Sequence, residues 1–280
     1  MNRVVLVERL VPNLYRLVVE APEVAASARA GQFVMVIPDE KGERIPLNLA
    51  DWDKEKGTVD LVFLNLGVST RKLANLKTGA MVEGMAGPLG RAPEITATAE
   101  VLLVGGCYGP GGLYPLAREL KQSGSRVIFL AEARDPAYLY WQEKLKKFSD
   151  VFLTIFRSDC LGPAYELREL IRKIKDENPA LSLVLAMGCS YLLFKVSEAT
   201  ADTQLKTLVS LNPIMVDGTG MCGACRVSVA GKTYFACVDG PWFDGHGLDW
   251  KEYFNRRKAF LSQEEQALIT LDREFWKRTE

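Results

Sequence analysis

The sequence predicts a multidomain protein: an antiparallel β-barrel first, a parallel α/β sheet second and a small cysteine-rich segment near the C terminus. The length of 280 residues is enough for about two domains. Short apolar runs between turn residues fill the first third, and the middle alternates such runs with segments of helical length. Three cysteines then fall within sixteen residues, which indicates a third kind of structure.

Composition and charge exclude several classes of protein. The 35 basic and 35 acidic side chains balance, and 48% of the residues are hydrophobic, as in ordinary globular proteins. Without a basic excess, we expect no nucleic-acid partner. The uncharged stretches 101–117 and 178–194 contain glycine and proline, which favours buried strands over membrane helices. The charged start of the chain lacks a signal-peptide core, so we expect a cytoplasmic protein with reduced thiols.

Residues 1–97 are predicted to form the barrel. Their apolar runs are short and are separated by glycine, proline and aspartate turns, a spacing typical of small antiparallel barrels. The predicted strands are Val4 to Val7, Leu14 to Val19, Phe33 to Ile37, Thr58 to Phe63 and Met81 to Met85.

Residues 98–208 are predicted to form the parallel sheet with its covering helices, because apolar runs alternate there with helical segments. The predicted elements are strands at Val101 to Val104, Val127 to Ala131, Val151 to Ile155 and Leu181 to Ala186, and a helix at Leu167 to Ile174. Residues 250–280 carry apolar side chains seven residues apart. They predict a helical extension, either one helix or two broken near Ser262, packed on the body or on a partner.

Residues 209–249 have too few apolar side chains for a core of their own, so we expect an inorganic centre to hold them. The Cys222-x-x-Cys225 pair allows two thiolates from one loop to meet a metal, and a hairpin returns Cys237. A redox dithiol remains one alternative, and a zinc site completed by His246, the sole histidine, remains another. The spacing and the neighbouring glycines favour a two-iron two-sulfur cluster surrounded by backbone amides.

The runs Leu211 to Arg226, Phe235 to Pro241 and Phe243 to His246 together resemble the cluster segment of one family. That family is the small subunit of NADH-dependent reduced ferredoxin:NADP oxidoreductase, also described as the sulfide dehydrogenase small subunit. It is related to the electron-transfer subunit of dihydroorotate dehydrogenase and to ferredoxin-NADP reductases. The resemblance implies a two-iron two-sulfur cluster held by three cysteines and one aspartate. By position, these ligands are Asp217, Cys222, Cys225 and Cys237.

The same resemblance implies FAD on the barrel. One string occupies the place of an Arg-x-Pro-Leu motif, whose arginine pairs with a flavin phosphate and whose next residues lie along the isoalloxazine. A second string resembles the family's pyrophosphate loop, where a helix N-terminus offers free amides. The implied contacts are Arg44, Pro46, Leu47, Asn48, Gly67, Ser69 and Thr70. Asn48 departs from the family, which usually has a hydroxyl residue there.

A nicotinamide site is implied on the second domain. Residues 101–120 show the strand, glycine turn and helix that let backbone approach a pyrophosphate, with Gly105, Gly106 and Gly109 as implied contacts to NAD(H) or NADP(H). The family's glycine run is interrupted here, because Cys107 adds a side chain and Tyr108 adds bulk beside it.

Two later nucleotide motifs of the family are also changed. Its Asn-Asp-Gly-Ser stretch has no clean counterpart around Arg157 to Gly162, and its Gly-Pro after the later strand is Gly188-Cys189 here. All these departures fall on the nucleotide face of one domain. We therefore hypothesise that nicotinamide binding is weakened or absent and that this domain persists as a scaffold.

The implied function is that of an oxidoreductase subunit that transfers electrons between its FAD and a larger flavin and iron-sulfur subunit, through the cluster. The larger subunit would resemble glutamate synthase small subunits and serve ferredoxin, in some family members by electron bifurcation. No catalytic acid or base stands out, because cofactors supply such chemistry. Two alternatives remain: the same conduit without a nicotinamide site, and a zinc-containing adaptor without redox activity.

Overall fold

A computed structural model describes residues 1–95, 100–156 and 165–277. Within these ranges, two β-sheets and one hairpin carry the architecture. The strands of the first sheet are β1 (Asn2–Val11), β2 (Leu14–Glu20), β3 (Phe33–Ile37), β4 (Ile45–Asp53), β5 (Thr58–Leu64), β6 (Met81–Val82) and β7 (Gly84–Leu89). Two short helices, α1 (Pro22–Ser27) and α2 (Val68–Ala74), lie between them in the chain.

The first sheet is antiparallel, and its two edges are neighbours in the chain. The strand order is β6-β1-β2-β5-β4-β3-β7. β6 pairs with β1 at one edge and β7 pairs with β3 at the other, although only Glu83 separates them. The single strand predicted from Met81 to Met85 is therefore two strands, because the chain leaves one edge to join the other. β4 was not among the predicted strands, since Pro46 weakens a strand signal.

Strand β3 has both of its faces buried. Val34 and Val36 point into the barrel core. Phe33 and Met35 point the opposite way, into a second core shared with the rest of the chain. Successive side chains of a strand alternate between its faces, which explains the continuous apolar run. The outer face of β3 is consequently the surface on which the later segments pack.

The second sheet is parallel except at one edge. Its strands and those of the hairpin are β8 (Glu100–Gly106), β9 (Arg126–Ala133), β10 (Val151–Phe156), β11 (Leu181–Met187), β12 (Lys206–Ser210), the hairpin β13 (Arg226–Val229) with β14 (Lys232–Phe235), and β15 (Trp242–Asp244). The sheet order is β10-β9-β8-β11-β12-β15. β15 pairs antiparallel with β12, and the other neighbours are parallel.

Helices cover both faces of the second sheet. They are α3 (Gly109–Gln122), α4 (Gln142–Lys146), α5 (Tyr165–Glu177) and α6 (Ser190–Thr200). Leu113 of α3 packs with Val101 on one face, and Ile171 of α5 packs with Leu102 on the other. The order of connections reverses between β8 and β11, so their carboxyl ends flank the crevice where such sheets bind ligands.

The cysteine-rich segment shares its core with its neighbours. Cys225, Cys237 and Phe243 belong to the same buried cluster as Phe33 and Met35 of β3. The indole of Trp242 donates a hydrogen bond to the Gly31 carbonyl at 2.9 Å, which ties the segment to the barrel. The segment therefore uses apolar surfaces supplied by both larger units. The predicted domain boundaries at 97, 208 and 249 remain predictions.

Two helices end the described chain, α7 (Trp250–Arg257) and α8 (Leu261–Lys277). The sequence left open one helix or two broken near Ser262; the structure has two, with the break at 258–260 and Ser262 in the first turn of α8. α8 lies beside α2, and Arg71 forms an ion pair with Asp272 between them. Apolar side chains of α8 remain exposed, with Leu261 at 53% and Ile269 at 41%. No helix in the described ranges is both long and apolar enough to span a membrane.

We expect Gly109→Ala to destabilise the fold by about 3 kcal/mol, the upper part of the range for overpacking a dense interior. A Cβ at Gly109 would lie 1.9 Å from the Met187 carbonyl oxygen, which is backbone and cannot rotate away. Urea unfolding measures the change. Gly84→Ala is the matched control, because its Cβ would lie at an ordinary 3.4 Å from Ile37. Equal stability of the two variants would contradict the steric argument.

Candidate functional site

The loop between β12 and β13 is shaped by local hydrogen bonds. The Asp217 carboxylate accepts hydrogen bonds from the backbone amides of Thr219 and Cys222, each at 2.9 Å. These contacts, the Thr219 amide foremost, lower the pKa of Asp217 from 3.8 to about 2. Gly218 and Gly220 take φ angles of 77° and 85°, which side chains rarely adopt. Asp217 therefore stays ionised, and its hydrogen bonds hold the following residues in a tight loop around the carboxylate.

The four predicted cluster ligands lie in two pairs. In the first, the Cys222 side chain hydrogen-bonds the Asp217 carboxylate. In the second, the Cys225 thiol donates to Cys237 Sγ at 3.3 Å, with both cysteines buried. Burial, followed by contact with Cys225, raises the pKa of Cys237 to about 12, while the Gly220 amide hydrogen-bonds its sulfur. Gly220 thus links the two pairs through one backbone amide.

The same side chains do not form a site for a single ion. Within the described ranges, no three His, Cys, Asp or Glu side chains converge on one metal position. His246, which a zinc site would need, lies elsewhere: its Nε2 is 2.9 Å from the Thr200 hydroxyl at the end of α6. Because structural zinc takes four converging ligands, this geometry disfavours the zinc alternative.

The cluster loop packs on the barrel beside β4. A Cβ on Gly218 would lie 2.8 Å from Met35 Cγ, so the loop rests directly on β3. Met35 is the strand partner of Pro46, and Phe33 is the partner of Asn48. Pro46 and Asn48 are half-buried on this face, while Leu47 between them is buried in the barrel core. The loop and the predicted flavin strand therefore share one face of the barrel.

The remaining predicted flavin contacts lie around the start of α2 and before β4. Arg44 is exposed and has no ion-pair partner among the described residues. The Thr70 hydroxyl accepts from the Gly67 amide at 2.9 Å and donates to the Gly67 carbonyl at 3.0 Å, so both residues serve this turn. Ser69 is buried. The first-turn amides of α2 lack partners within the helix, as at any helix start, and remain as donors for a phosphate.

Asn65 is a residue that the sequence reasoning missed. It follows β5 directly, and its side-chain oxygen is buried without a hydrogen-bond partner among the described residues. An unpaired buried amide oxygen is unfavourable by roughly 1–3 kcal/mol, so it is normally satisfied by a ligand or water. The only signal in the sequence is a polar residue at the end of an apolar run. A hydroxyl-bearing ligand beside Gly67 would satisfy it.

Protein atoms fill the space beside each of the glycines predicted to contact a nicotinamide nucleotide. A Cβ on Gly106 would lie 2.3 Å from Glu132 Oε2, and one on Gly109 would lie 1.9 Å from the Met187 carbonyl oxygen. At Gly105 the nearest neighbour is the Pro110 nitrogen at 3.0 Å. These glycines allow strand, turn and helix to approach one another. The glycine pattern therefore has a packing explanation that needs no nucleotide.

Two tyrosines occupy the turn at the start of α3. The Tyr140 hydroxyl accepts a hydrogen bond from the Gly111 amide at 2.8 Å, and the same amide donates to the Tyr108 carbonyl at 3.1 Å, so it is not available to a phosphate. The Tyr108 hydroxyl donates to the Gly188 carbonyl at 2.8 Å and accepts from the Asn212 side chain at 2.7 Å. Burial raises the pKa of both phenols, so they stay neutral. The predicted departure at Arg157 to Gly162 lies outside the described residues.

Comparison with known proteins places this architecture in a family. Residues 212–249 match the iron-sulfur cluster binding domain of dihydroorotate dehydrogenase B. The chain is 37% identical to a Thermotoga maritima homologue of the electron transfer subunit of dihydroorotate dehydrogenase B (NAD(+)), over 94% of this chain and 93% of that protein. The chain belongs to the family of this electron transfer subunit.

A solved structure of an NADH-dependent reduced ferredoxin-NADP oxidoreductase, described for flavin-based electron bifurcation, is similar to this member of the electron-transfer-subunit family. The TM-score is 0.87 at 35% identity, with 97% of this chain and 98% of that chain covered. Phthalate dioxygenase reductase shares the fold at 14% identity, with a TM-score of 0.61 over 85% of this chain and 93% of its own. The predicted family and the predicted class, an oxidoreductase subunit, are confirmed, as are a barrel sheet joined to a parallel sheet.

We expect Asp217→Ala to speed hydrogen exchange of the Thr219 and Cys222 amides in cluster-free protein severalfold, because each amide loses the carboxylate that accepts its hydrogen bond. In the wild type, the folded pKa lies below the ordinary value. This protection is therefore present above pH 3.8 and is lost as the pH falls through about 2. NMR exchange rates measure both effects. Unchanged rates in the variant would remove the carboxylate as the organiser of the loop.

Proposed function

We propose that this chain is an electron-transfer subunit that carries FAD on the barrel and a two-iron two-sulfur cluster in the loop at residues 217–237. When bound, FAD exchanges electron pairs and the cluster exchanges single electrons, so the subunit would connect the two kinds of transfer. The observation that carries this proposal is the arrangement of the four ligand candidates: two pairs, on a loop packed against the barrel face of Pro46 and Asn48.

The pairing supports two metal ions more than one. In a two-iron two-sulfur cluster each iron takes two protein ligands, which would be Asp217 with Cys222 and Cys225 with Cys237. The oxygen of Asp217 is a harder donor than the sulfurs, so the two irons would differ electronically. The Gly220 amide already hydrogen-bonds the Cys237 sulfur, a contact of the kind that tunes cluster potential.

The flavin would lie along β4 and reach the start of α2. Arg44 is available to pair with a phosphate, because no described residue neutralises it. The backbone of Pro46, Leu47 and Asn48 would run along the ring, while the Asn65 oxygen would accept from a hydroxyl of the chain that joins ring and phosphate. Because the cluster loop shares this barrel face, the chain would hold the two groups close together.

The exposed tip of the cluster loop is the proposed contact with a larger flavin and iron-sulfur subunit. The Met221 side chain is 89% exposed and that of Val216 is 51% exposed. Cys222, which follows Met221 directly, is also exposed. Single exposed apolar side chains are common, but exposed apolar groups that lie together on one loop are typical of a surface that a partner covers. A partner at this tip would approach the Asp217 and Cys222 pair. Ferredoxin would be served through that complex, with electron bifurcation as one form of the reaction.

A second candidate, the same conduit without a nicotinamide site, is favoured by the start of α3. The Gly111 amide is bonded to Tyr140, and the spaces over Gly106 and Gly109 are filled. A pyrophosphate would have to displace a buried phenol from its hydrogen bond. We infer that binding of NAD(H) or NADP(H) to this subunit is weak or absent.

Anaerobically purified protein is expected to contain iron, sulfide and FAD, and to show an electron paramagnetic resonance signal after reduction. Asp217→Ala and Asp217→Cys are each expected to alter that signal, because one iron would lose or exchange a ligand. Asp239→Asn is the control, since Asp239 accepts from the Phe235 amide within its own turn. Unchanged spectra in both Asp217 variants would remove it as a ligand, and equimolar zinc without iron or flavin would support the adaptor instead.

Titration of the FAD-loaded subunit with NADH and with NADPH is expected to leave the flavin oxidised at stoichiometric reductant, because the phosphate-facing amide is already bonded. Dithionite is the positive control and should bleach the flavin band. The measurement is flavin absorbance under anaerobic conditions. Rapid bleaching by either nucleotide would show a working nicotinamide site and would reject the second candidate while leaving the first intact.

A further inference from the structure

Two cysteines outside the cluster loop lie side by side at the crevice of the second sheet. Cys107 follows β8 and Cys189 follows β11, and each lies two residues beyond Gly105 and Met187, the last paired residues of the two strands. Neighbouring strands are about 4.8 Å apart, within the Cα separation of about 4.4–6.8 Å that a disulfide needs. A Cβ on Gly188 would lie 2.8 Å from the Gly106 carbonyl oxygen, so the strands stay adjacent beyond their last paired residues.

Cys189 has the surroundings of a nucleophilic thiolate. It immediately precedes α6, and its sulfur lies near the Cys107 thiol and the Tyr191 and Leu192 amides. These contacts, the Cys107 hydrogen bond foremost, lower the pKa of Cys189 from 9.0 to about 7. A helix start favours a thiolate for the same reason that it favours any anion.

The groups that face Cys189 come from several elements. They are Cys107, Glu132 of β9, Tyr108 and Tyr253, of which the Glu132 charge opposes the thiolate. The two phenols are buried and neutral because burial raises the pKa of each. The helix amides and the neighbouring thiol therefore prevail over the single acidic group.

Cys107 has the properties of the second member of a pair. It is exposed to solvent and contacts Cys189, and the structure shows no disulfide between them. Its φ of 55° is left-handed, a conformation that favours glycine. A residue with a side chain is strained in this conformation, and such strain is found at functional positions.

We propose that Cys107 and Cys189 form a redox-active dithiol that reduces low-molecular-weight disulfides by thiol–disulfide exchange. The Cys189 thiolate attacks one sulfur of the disulfide RSSR, forming a mixed disulfide and releasing RS⁻. The Cys107 thiol gives its proton to solvent, and its sulfur then attacks Cys189 Sγ, forming the internal disulfide and releasing the second RS⁻. Two electrons leave the dithiol, and the two released thiolates take up two protons from solvent, one given up by Cys107 and one given up earlier when Cys189 ionised.

The direct test incubates the complete, cofactor-loaded protein anaerobically with oxidised glutathione, followed by acid quenching and peptide mass mapping. The expected product is a Cys107–Cys189 disulfide, with two reduced glutathiones formed for each one. Cys107→Ser should instead accumulate glutathione on Cys189, because the resolving thiol is absent. Cys160→Ser is the matched control and should behave as the wild type. A disulfide from Cys189 to Cys160, or none to Cys107, would overturn the proposal.

A second measurement, the rate of thiol labelling, uses the wild-type protein and therefore does not depend on the folding of a variant. At pH 7, a thiol of pKa about 7 carries about fifty times more thiolate than one of pKa 9.0, and its lower intrinsic nucleophilicity leaves about a sixfold rate advantage. Iodoacetamide should therefore label Cys189 about sixfold faster than a reference thiol of pKa 9.0. Labelling no faster than the reference would reject Cys189 as the nucleophile, whatever the mass maps show.

Discussion

The architecture depends on a steric constraint at the start of α3, where the backbone leaves no room for side chains. Gly109 meets the Met187 carbonyl, Gly111 meets Val62 of the barrel, and Gly112 meets both Met187 and Asn48. The first turn of α3 therefore packs between the carboxyl ends of the strands of the second sheet and one face of the first sheet. Because interiors are close-packed, this contact fixes where β4 lies relative to the crevice. Charges reinforce it, since Asp51 of β4 pairs with Arg118 of α3 at 2.7 Å and with Lys144 at 3.0 Å.

The cluster loop is built on a different principle. Its shape comes from hydrogen bonds between a carboxylate and amides a few residues away, and from glycines in left-handed conformations. Hydrogen bonds and glycine conformations of this kind restrict the loop, which lowers the conformational entropy lost on binding a metal. Its position comes from elsewhere: Gly218 rests on Met35, and the two buried cysteines belong to the core that joins all three parts of the chain. Local hydrogen bonds shape the loop, and the shared core places it beside β4, the predicted flavin strand.

The crevice between β8 and β11 shows how one backbone arrangement can serve different chemistry. Strand, turn and helix are arranged as in a nucleotide site, yet the amide at Gly111 is bonded to Tyr140 and the two strand ends carry thiols. The same helix-start electrostatics that would favour a phosphate lower the pKa of Cys189 instead. This position therefore favours an anion of some kind, and the residues at 107, 140 and 189 decide which.

The sequence by itself determined the order of the two sheets, most strands, the helical C-terminal region and the three clustered cysteines, because hydrophobic periodicity and cysteine spacing are local properties. Asp217 became a ligand candidate only through the family resemblance. The sequence missed β4, the break at Glu83, and the roles of Asn65 and Tyr140. These features depend on which distant segments pack together. The Asn65 oxygen is buried without a partner, and the Tyr140 hydroxyl reaches the Gly111 amide, only in the folded arrangement of strands and helices. The sequence identified Gly105, Gly106 and Gly109, but only the tertiary structure decided that protein atoms fill the space beside them. The physical reason is that a glycine in a sequence shows only that a side chain is absent, and packing decides whether protein or ligand occupies that space.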